Sequence, residues 1–324
     1  MSRAFRIHAP GGPEALIWEE VSVPEPADGQ VRLRHTAVGL NYIDVYHRTG
    51  LYPLPSLPAV PGMEGAGVVE AVGRGVSEFG PGDRVAYAGV LGAYAETRVI
   101  AADRLVALPP AITDPQAAAM MLKGMTAQYL LRRTYPVQAG DRVMVHAAAG
   151  GVGLILCQWA RHLGATVIGT VGTDAKADLA RAHGCHHPIV YTRERFVDRV
   201  RAITGGDGVA VVYDSVGKDT FLDSLDCLRP LGMMVTFGNA SGPVPPVEPA
   251  LLSAKGSLFL TRPTLMTYTA KPADLQASAR ELFDVVAGGH VRIRIGARYP
   301  LSETPQAHRD LESRATTGST VLLP

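Results

Sequence analysis

His146-Ala147-Ala148-Ala149-Gly150-Gly151-Val152-Gly153 is the stretch on which the reading of this sequence turns. It follows Val143-Met144-Val145, an apolar run with the β-branching of a buried strand. It leads into Leu154-Ile155-Leu156-Cys157, the start of a helical pattern that ends at Gly164. Strand, glycine-rich turn and helix in that order make the phosphate-binding corner of a dinucleotide fold. Ala148, Gly150 and Gly153 fall on its three small-residue positions. Gly150 would let backbone approach a pyrophosphate, and Gly153 would let the helix pack closely on the strand. The N–H groups at the helix start would face the phosphates with the positive end of the helix dipole. Alanine in place of the first glycine makes the pattern a variant, so the context has to support it.

The residues downstream supply that context. Strands over Arg142–Ala147, Thr166–Thr170, Ile189–Tyr191, Val209–Tyr213 and Met233–Phe237 alternate with helices over Val152–Leu163, Lys176–His183 and Glu194–Ile203, and a further helix precedes the last strand. Such alternation predicts parallel βαβ units in a doubly wound sheet. Upstream the texture differs. Val31–Val38 largely alternates, placing Val31, Leu33 and Ala37 on one face, and Gly67–Gly73 and Arg84–Ala88 are further short strands around Gly80-Pro81-Gly82-Asp83. Short strands punctuated by Gly and Pro predict a barrel or sandwich. An Ala-, Leu- and Met-rich segment over 111–133, with Asp114-Pro115 as a helix start, separates the two textures. The C-terminal return predicts a helix over Asp274–Ala287, a strand near Val291–Ile295, a helix over Pro305–Arg314 and a strand over Thr320–Leu323.

A dinucleotide site of the NAD type places an acidic residue about 20 residues after the turn, on the ribose 2′-hydroxyl. Here the second strand ends in Gly172-Thr173, with Lys176 shortly after. Glycine and a hydroxyl leave room for a 2′-phosphate, and a lysine opposes its charge, so NADPH is the expected cofactor. Asp174 is read as a cap of the following helix.

The 324 residues suit two domains of about 100–200 residues each. A 47% hydrophobic and 19% charged composition excludes a disordered chain, and a formal net charge of +1 offers no field for nucleic acid or an anionic membrane. Cys157, Cys185 and Cys227 are sparse, odd in number and without a CxxC pair, as expected of buried thiols in a reducing compartment. With no signal-like start and no run of about 20 apolar residues, the expected location is the cytoplasm.

Several segments carry a closer resemblance: Gly39-Leu40-Asn41-Tyr42-Ile43-Asp44, Arg48-Thr49-Gly50-Leu51-Tyr52-Pro53, Leu122-Lys123-Gly124-Met125-Thr126-Ala127, Ala147–Gly153, Val212–Gly217, Phe237–Gly242 and Leu311-Glu312-Ser313-Arg314. They run nearly end to end, and the chain resembles the medium-chain dehydrogenase/reductase superfamily. Within it the chain is similar to the zinc-free, zeta-crystallin-like NADPH:quinone oxidoreductases. That resemblance implies an α/β protein with an N-terminal GroES-like β-barrel domain over 1–120, completed by 262–324, and a Rossmann NADPH-binding domain over 121–261. The zinc-bearing branch takes a Cys near position 41 and a His in Gly-His-Glu. This sequence has Asn41 and Gly62-Met63-Glu64, and no cysteine between 85 and 105, so no metal is expected.

The resemblance further implies hydride transfer from NADPH to a quinone in a cleft between the domains. It puts Asn41, Tyr42, Ile43, Asp44, Lys123 and Thr126 around the nicotinamide. Gly150, Gly151, Val152 and Gly153 lie on the pyrophosphate, and Gly172, Thr173, Lys176 and Tyr191 surround the adenosine phosphate. Ser215, Phe237, Gly238, Asn239 and Arg314 complete the contacts. Tyr46 and Tyr52, with Asn41, are the candidate catalytic residues; the alternative for both tyrosines is ordinary packing in the small domain, and for Tyr46 the two readings weigh equally. Two other functions stay open: an enone or enoyl-thioester reductase, for which a tyrosine would donate the proton, and a crystallin-like structural or RNA-binding role. A homodimer pairing edges near Ser257–Thr261 is implied by resemblance.

Overall fold

A computed structural model of the chain describes residues 2–324. By its packing the chain divides into two compact units. The first comprises Met1–Met125, Thr269–Ala287 and Ile293–Pro324, and the second Thr126–Tyr268 with Gly288–Arg292.

The first unit opens with β1 (Ser2–Ile7) and β2 (Leu16–Val21), an antiparallel pair. There follow β3 (Gln30–Leu40), α1 (Tyr42–Thr49), β4 (Glu64–Val72), β5 (Arg84–Ala88), β6 (Thr97–Ala101), β7 (Val106–Ala107) and α2 (Asp114–Tyr129). The alternation read in β3 is real: Val31, Leu33 and Ala37 are fully buried. His35 shares their face and is equally buried, which an apolar count passes over. It is tolerated because Nδ1 lies 2.6 Å from the Ala95 carbonyl and Nε2 2.8 Å from the Tyr87 hydroxyl. The helix α1 is absent from the sequence reading: it is only eight residues long, and its buried side mixes the polar Asp44, His47 and Arg48 with Val45 and Tyr46.

The second unit carries β8 (Arg142–Val145), α3 (Gly151–His162), β9 (Thr166–Val171), α4 (Asp174–Ala182), β10 (His187–Val190), α5 (Phe196–Thr204), β11 (Val209–Asp214), α6 (Phe221–Asp226), β12 (Leu228–Thr236), α7 (Pro249–Ala254), β13 (Phe259–Thr261) and α8 (Leu265–Tyr268). Its strands pair in the order β10-β9-β8-β11-β12-β13, every pairing parallel. Renumbered within the unit this is 3-2-1-4-5-6, the doubly wound order whose switch point lies between β8 and β11. Met144, Ile168, Val212 and Met234 form the middle of its core. The three cysteines are free and buried, as read.

The chain then returns to the first unit through α9 (Pro272–Ala287), β14 (Ile295–Pro300), α10 (Thr304–Glu312) and β15 (Ser319–Leu323). The first unit's main sheet runs β14-β15-β3-β4-β5-β7, with β6 also on β3. The strand read near Val291–Ile295 begins only at Ile295. The backbone of Arg292 is already engaged by a side chain, its N–H donating to Gln158 Oε1 at 2.9 Å and its carbonyl accepting from Gln158 Nε2 at 3.1 Å. Groups so occupied cannot join a ladder.

Candidate active site

The dinucleotide corner is built by close backbone approach. Ala147 adopts a left-handed conformation (φ 52°), and the chain reverses over Gly150 N–H to the Ala147 carbonyl at 2.9 Å. A Cβ on Gly153 would lie 2.3 Å from the Ala147 carbonyl oxygen and 2.8 Å from Ala148 Cα, so only glycine lets α3 sit against the strand end. A Cβ on Gly169 would meet the Ala148 methyl at 2.6 Å, which fits the turn between β8 and β9. Gly150 caps α3 without a side-chain hydrogen bond, so the first N–H groups of a 12-residue helix keep no side-chain acceptor from their cap. These features fit a pyrophosphate.

His146, unremarked in the sequence, anchors the turn from below. Its ring is buried, with Nδ1 2.8 Å from Thr170 Oγ1 and Nε2 2.8 Å from Ser224 Oγ, and burial lowers its pKa. Asp214, at the end of β11, accepts from the N–H groups of Val216 and Gly217 at 2.7 and 3.0 Å and from Thr220 Oγ1 at 2.7 Å. That bonding orders the loop holding Ser215. A Cβ on Gly238 would lie 2.4 Å from the Ser215 carbonyl, so the loops carrying Ser215 and Phe237-Gly238-Asn239 meet at the strand ends.

At the end of β9, Thr173 caps α4, its hydroxyl accepting from Lys176 N–H at 3.3 Å. The cap is therefore Thr173, where the sequence suggested Asp174. Asp174 lies in the first turn and pairs with Arg193, Nη1 to Oδ2 at 2.9 Å. Arg193 is a cation the sequence reading missed, since nothing in spacing ties it to position 174. The Tyr191 hydroxyl lies 3.0 Å from where a Gly172 Cβ would stand, so Gly172, Thr173, Lys176 and Tyr191 come together. With Asp174 paired to Arg193, this group suits a 2′-phosphate.

The other predicted residues lie in the first unit, apart from Thr126, with which the second begins. Asn41 precedes α1, and Asp44 in its first turn accepts the Asn41 backbone N–H at 2.8 Å. The Asn41 amide donates to Glu64 Oε2 at 2.8 Å. Lys123 Nζ donates to the same oxygen at 2.8 Å, and Leu122 N–H donates to Glu64 Oε1 at 2.8 Å. Glu64 is fully buried and Lys123 nearly so. Such a pair persists because each charge is matched and hydrogen-bonded. Asp44 is pushed up to about 7, chiefly by burial; the donors from Asn41 and Tyr94 and the charge of Lys123 offset that only in part, and Glu64 reinforces it.

Tyr42, Tyr46 and Tyr52 form a ring cluster beside these groups, with centroids 5.7 Å apart for the first pair and 5.0 Å for the second. Tyr46 is buried, whereas Tyr42 and Tyr52 are half-buried. Burial raises the Tyr42 pKa, and the charge of Arg314 opposes the rise, which places Arg314 near the cluster. Ile43 is half-buried on α1, and Thr126 is buried on α2. Among the described residues no group of three or more His, Cys, Asp and Glu side chains is placed to hold a metal ion. No helix among them is long and apolar enough to cross a membrane.

Residues 27–110 match the family described as "Alcohol dehydrogenase GroES-like domain", and residues 151–283 the one described as "Zinc-binding dehydrogenase". Fold and site together define a medium-chain dehydrogenase/reductase, an α/β protein with a GroES-like domain and a Rossmann sheet. The chain is 54% identical over 325 residues to a quinone oxidoreductase of Pseudomonas aeruginosa, with 100% of each covered. It is 49% identical to a 2-haloacrylate reductase of Burkholderia sp, over 100% of this chain and 99% of that one. Its structure matches that of the Escherichia coli quinone oxidoreductase complexed with NADPH at a TM-score of 0.97 and 48% identity, covering 99% and 100% of the two chains. The chain belongs to the quinone oxidoreductase family.

Proposed function

We propose that the protein reduces a quinone with NADPH and uses no catalytic metal. Asn41, Glu64 and Lys123 carry this reading. Where a zinc-bearing relative would present a thiolate and an imidazole, this chain presents an amide and Met63, and both Glu64 oxygens are engaged by protein donors. An amide nitrogen and an ammonium are not metal ligands. A quinone needs no Lewis acid, because its reduced ring delocalises the charge it receives.

NADPH, when bound, supplies the hydride. The glycine cradle at 150–153 holds the pyrophosphate, and Gly172, Thr173, Lys176 and Tyr191 hold the 2′-phosphate. Ser215, Phe237, Gly238, Asn239 and Arg314 make the remaining contacts. Asn41, Tyr42, Ile43, Asp44, Lys123 and Thr126 orient the nicotinamide, and orientation is the main contribution such a site makes. Tyr46 and Tyr52 line the acceptor pocket, where the half-buried Tyr52 is the better placed to touch a ring. The protein acts in the cytoplasm as a homodimer joined at β13, an edge strand whose Phe259 is 57% exposed.

Steady-state oxidation of NADPH and NADH, with EDTA present, tests this against a quinone panel, 2-haloacrylate and a crotonyl thioester. Quinone turnover with NADPH that EDTA leaves intact is the expected result. Turnover confined to the acrylate or thioester would displace the quinone, and equal use of NADH would remove the 2′-phosphate argument. Lys176→Ala should raise the KM for NADPH by about tenfold or more and leave NADH nearly unchanged, as expected for loss of one charge-assisted phosphate contact.

A further inference from the structure

Behind Asn41, Asp44 leads into a string of buried side chains, Tyr94, His308 and Arg48, that the proposed chemistry does not use. Asp44 Oδ2 accepts the Tyr94 hydroxyl at 2.8 Å, in addition to the Asn41 N–H. The Tyr94 oxygen lies 3.0 Å from His308 Nε2, and His308 Nδ1 lies 3.3 Å from Arg48 Nη1. Arg48 Nη1 and Nη2 reach the two Glu312 oxygens at 3.0 and 2.8 Å. Asp44, Tyr94 and His308 are fully buried and Arg48 is 1% exposed. The string joins α1 to α10, across more than 200 residues of sequence.

Its polarity follows from the donor inventory. A guanidinium only donates, so His308 Nδ1 must accept and the ring hydrogen must sit on Nε2. Nε2–H then donates to the Tyr94 oxygen, which leaves the Tyr94 O–H to donate to Asp44. Burial and the Arg48 charge hold His308 down to about 3, so the ring stays neutral and keeps this single tautomer. Oδ2 of Asp44 thus receives two donors and has no room for a proton, while Oδ1 is buried without a partner. A proton on Asp44 therefore belongs on Oδ1.

We propose that Arg48, His308 and Tyr94 are positioning residues: a one-way hydrogen-bond string that keeps a donor on Asp44 and so fixes Asn41, bonded to the same oxygen, for the bound nicotinamide. The inference rests on the reading of Asn41 as a cofactor contact. The charged and titratable groups around Asp44 and along the string are Arg48 and His47 from α1, Glu64 from β4, Tyr87 from β5, Lys123 from α2, Tyr94 from the loop before β6, and His308 and Glu312 from α10. Ionising Asp44 sets a second negative charge beside Glu64, and that charge holds Lys123 back from a ligand.

The test exploits two side chains of one shape. In His308→Gln, Arg48 again takes the oxygen, and the amide N–H still donates to Tyr94. In His308→Glu, both ends accept, and the Tyr94 O–H turns away from Asp44. Carboxyl-¹³C aspartate NMR of the protein without cofactor reads the Asp44 titration. The midpoint should stay in His308→Gln and rise by about one pH unit or more in His308→Glu and in Tyr94→Phe, through loss of a hydrogen bond to the charged form. The alkaline limb of kcat/KM for NADPH should move with it. Equal midpoints in the Gln and Glu variants would overturn the string, and so would an unmoved midpoint in Tyr94→Phe, which keeps the test decisive if a His308 variant fails to fold. A wild-type enzyme inactive with quinones would instead sink the proposed function and leave the titration result standing.

Discussion

Asp44 and His308 are buried groups whose titrations pull stability in opposite directions. The Asp44 carboxyl stands at about 7 in the folded chain against its ordinary value of 3.8. Between those values the folded state holds a proton that the unfolded chain has released. Its contribution is therefore complete below pH 3.8 and is lost as pH rises to about 7. Asp44→Asn keeps an acceptor for Asn41 and Tyr94 and never ionises. Its stability relative to wild type should rise by about 1.4 kcal/mol per pH unit across that window and level off above it. Denaturant melts at pH 4, 6 and 8 check this, and a difference independent of pH would contradict it. His308 behaves oppositely: with its folded value at about 3, stability is present above 6.5 and lost as pH falls toward 3. None of this was legible in the sequence. Asn41, Asp44 and Lys123 could be named by resemblance, but Tyr94, His308 and Arg48 are ordinary letters until α1 and α10 meet. His35 escaped for a related reason, since its burial depends on Tyr87 and Ala95, far away in the chain.

At the scale of elements, the sequence was most readable where each segment carried its own punctuation. α3, α4 and α5 run into Gly164, Gly184 and Gly205, all with positive φ, and each strand between them is short and apolar. β1 and β2 carried no such marks and went unread; α1 does run into a positive-φ glycine, Gly50, but its eight residues bury polar side chains and it went unread too. The glycine turn also separates two roles that the fingerprint merges. A Cβ at Gly150 would meet only the Ala147 carbonyl, at 3.2 Å, whereas one at Gly153 would press into backbone at 2.3 Å. Gly150→Ala should therefore keep stability within about 1 kcal/mol of wild type while placing a methyl where the pyrophosphate approaches. Gly153→Ala should cost about 1–3 kcal/mol, because α3 must move off the strand. Thermal melts and NADPH titration by fluorescence distinguish the two. Equal destabilisation by both substitutions would mean that the turn yields where the geometry says it cannot.

The path of the whole chain makes the first unit depend on its last residues. β15 lies between β14 and β3, pairing Thr320 with Leu40, Val321 with Gly39 and Leu322 with Val38. Val321 and Leu322 are fully buried, and Ser319 Oγ donates to the Ala119 carbonyl at 2.7 Å. Leu301, Ala307 and Leu322 belong to the same core as Phe5, Leu33 and Tyr94. A chain ending at Glu303 would lose α10 and β15, bare part of one edge of β3, and leave Arg48 and Tyr94 buried without His308 and Glu312. Unpaired strand edges and buried unmatched charge are each costly against a total stability of about 5–15 kcal/mol. The core of the second unit draws on Phe196–Leu258 together with Met144, Ile168 and Ile189, none of it from the removed segment. Hydrogen exchange on the truncated chain should then show protection lost in β3 and β4 and retained in β8, β9, β11 and β12. Loss of protection in all of these at once would mean that the two units unfold as one, and retention in β3 would mean that the C-terminal strand is dispensable.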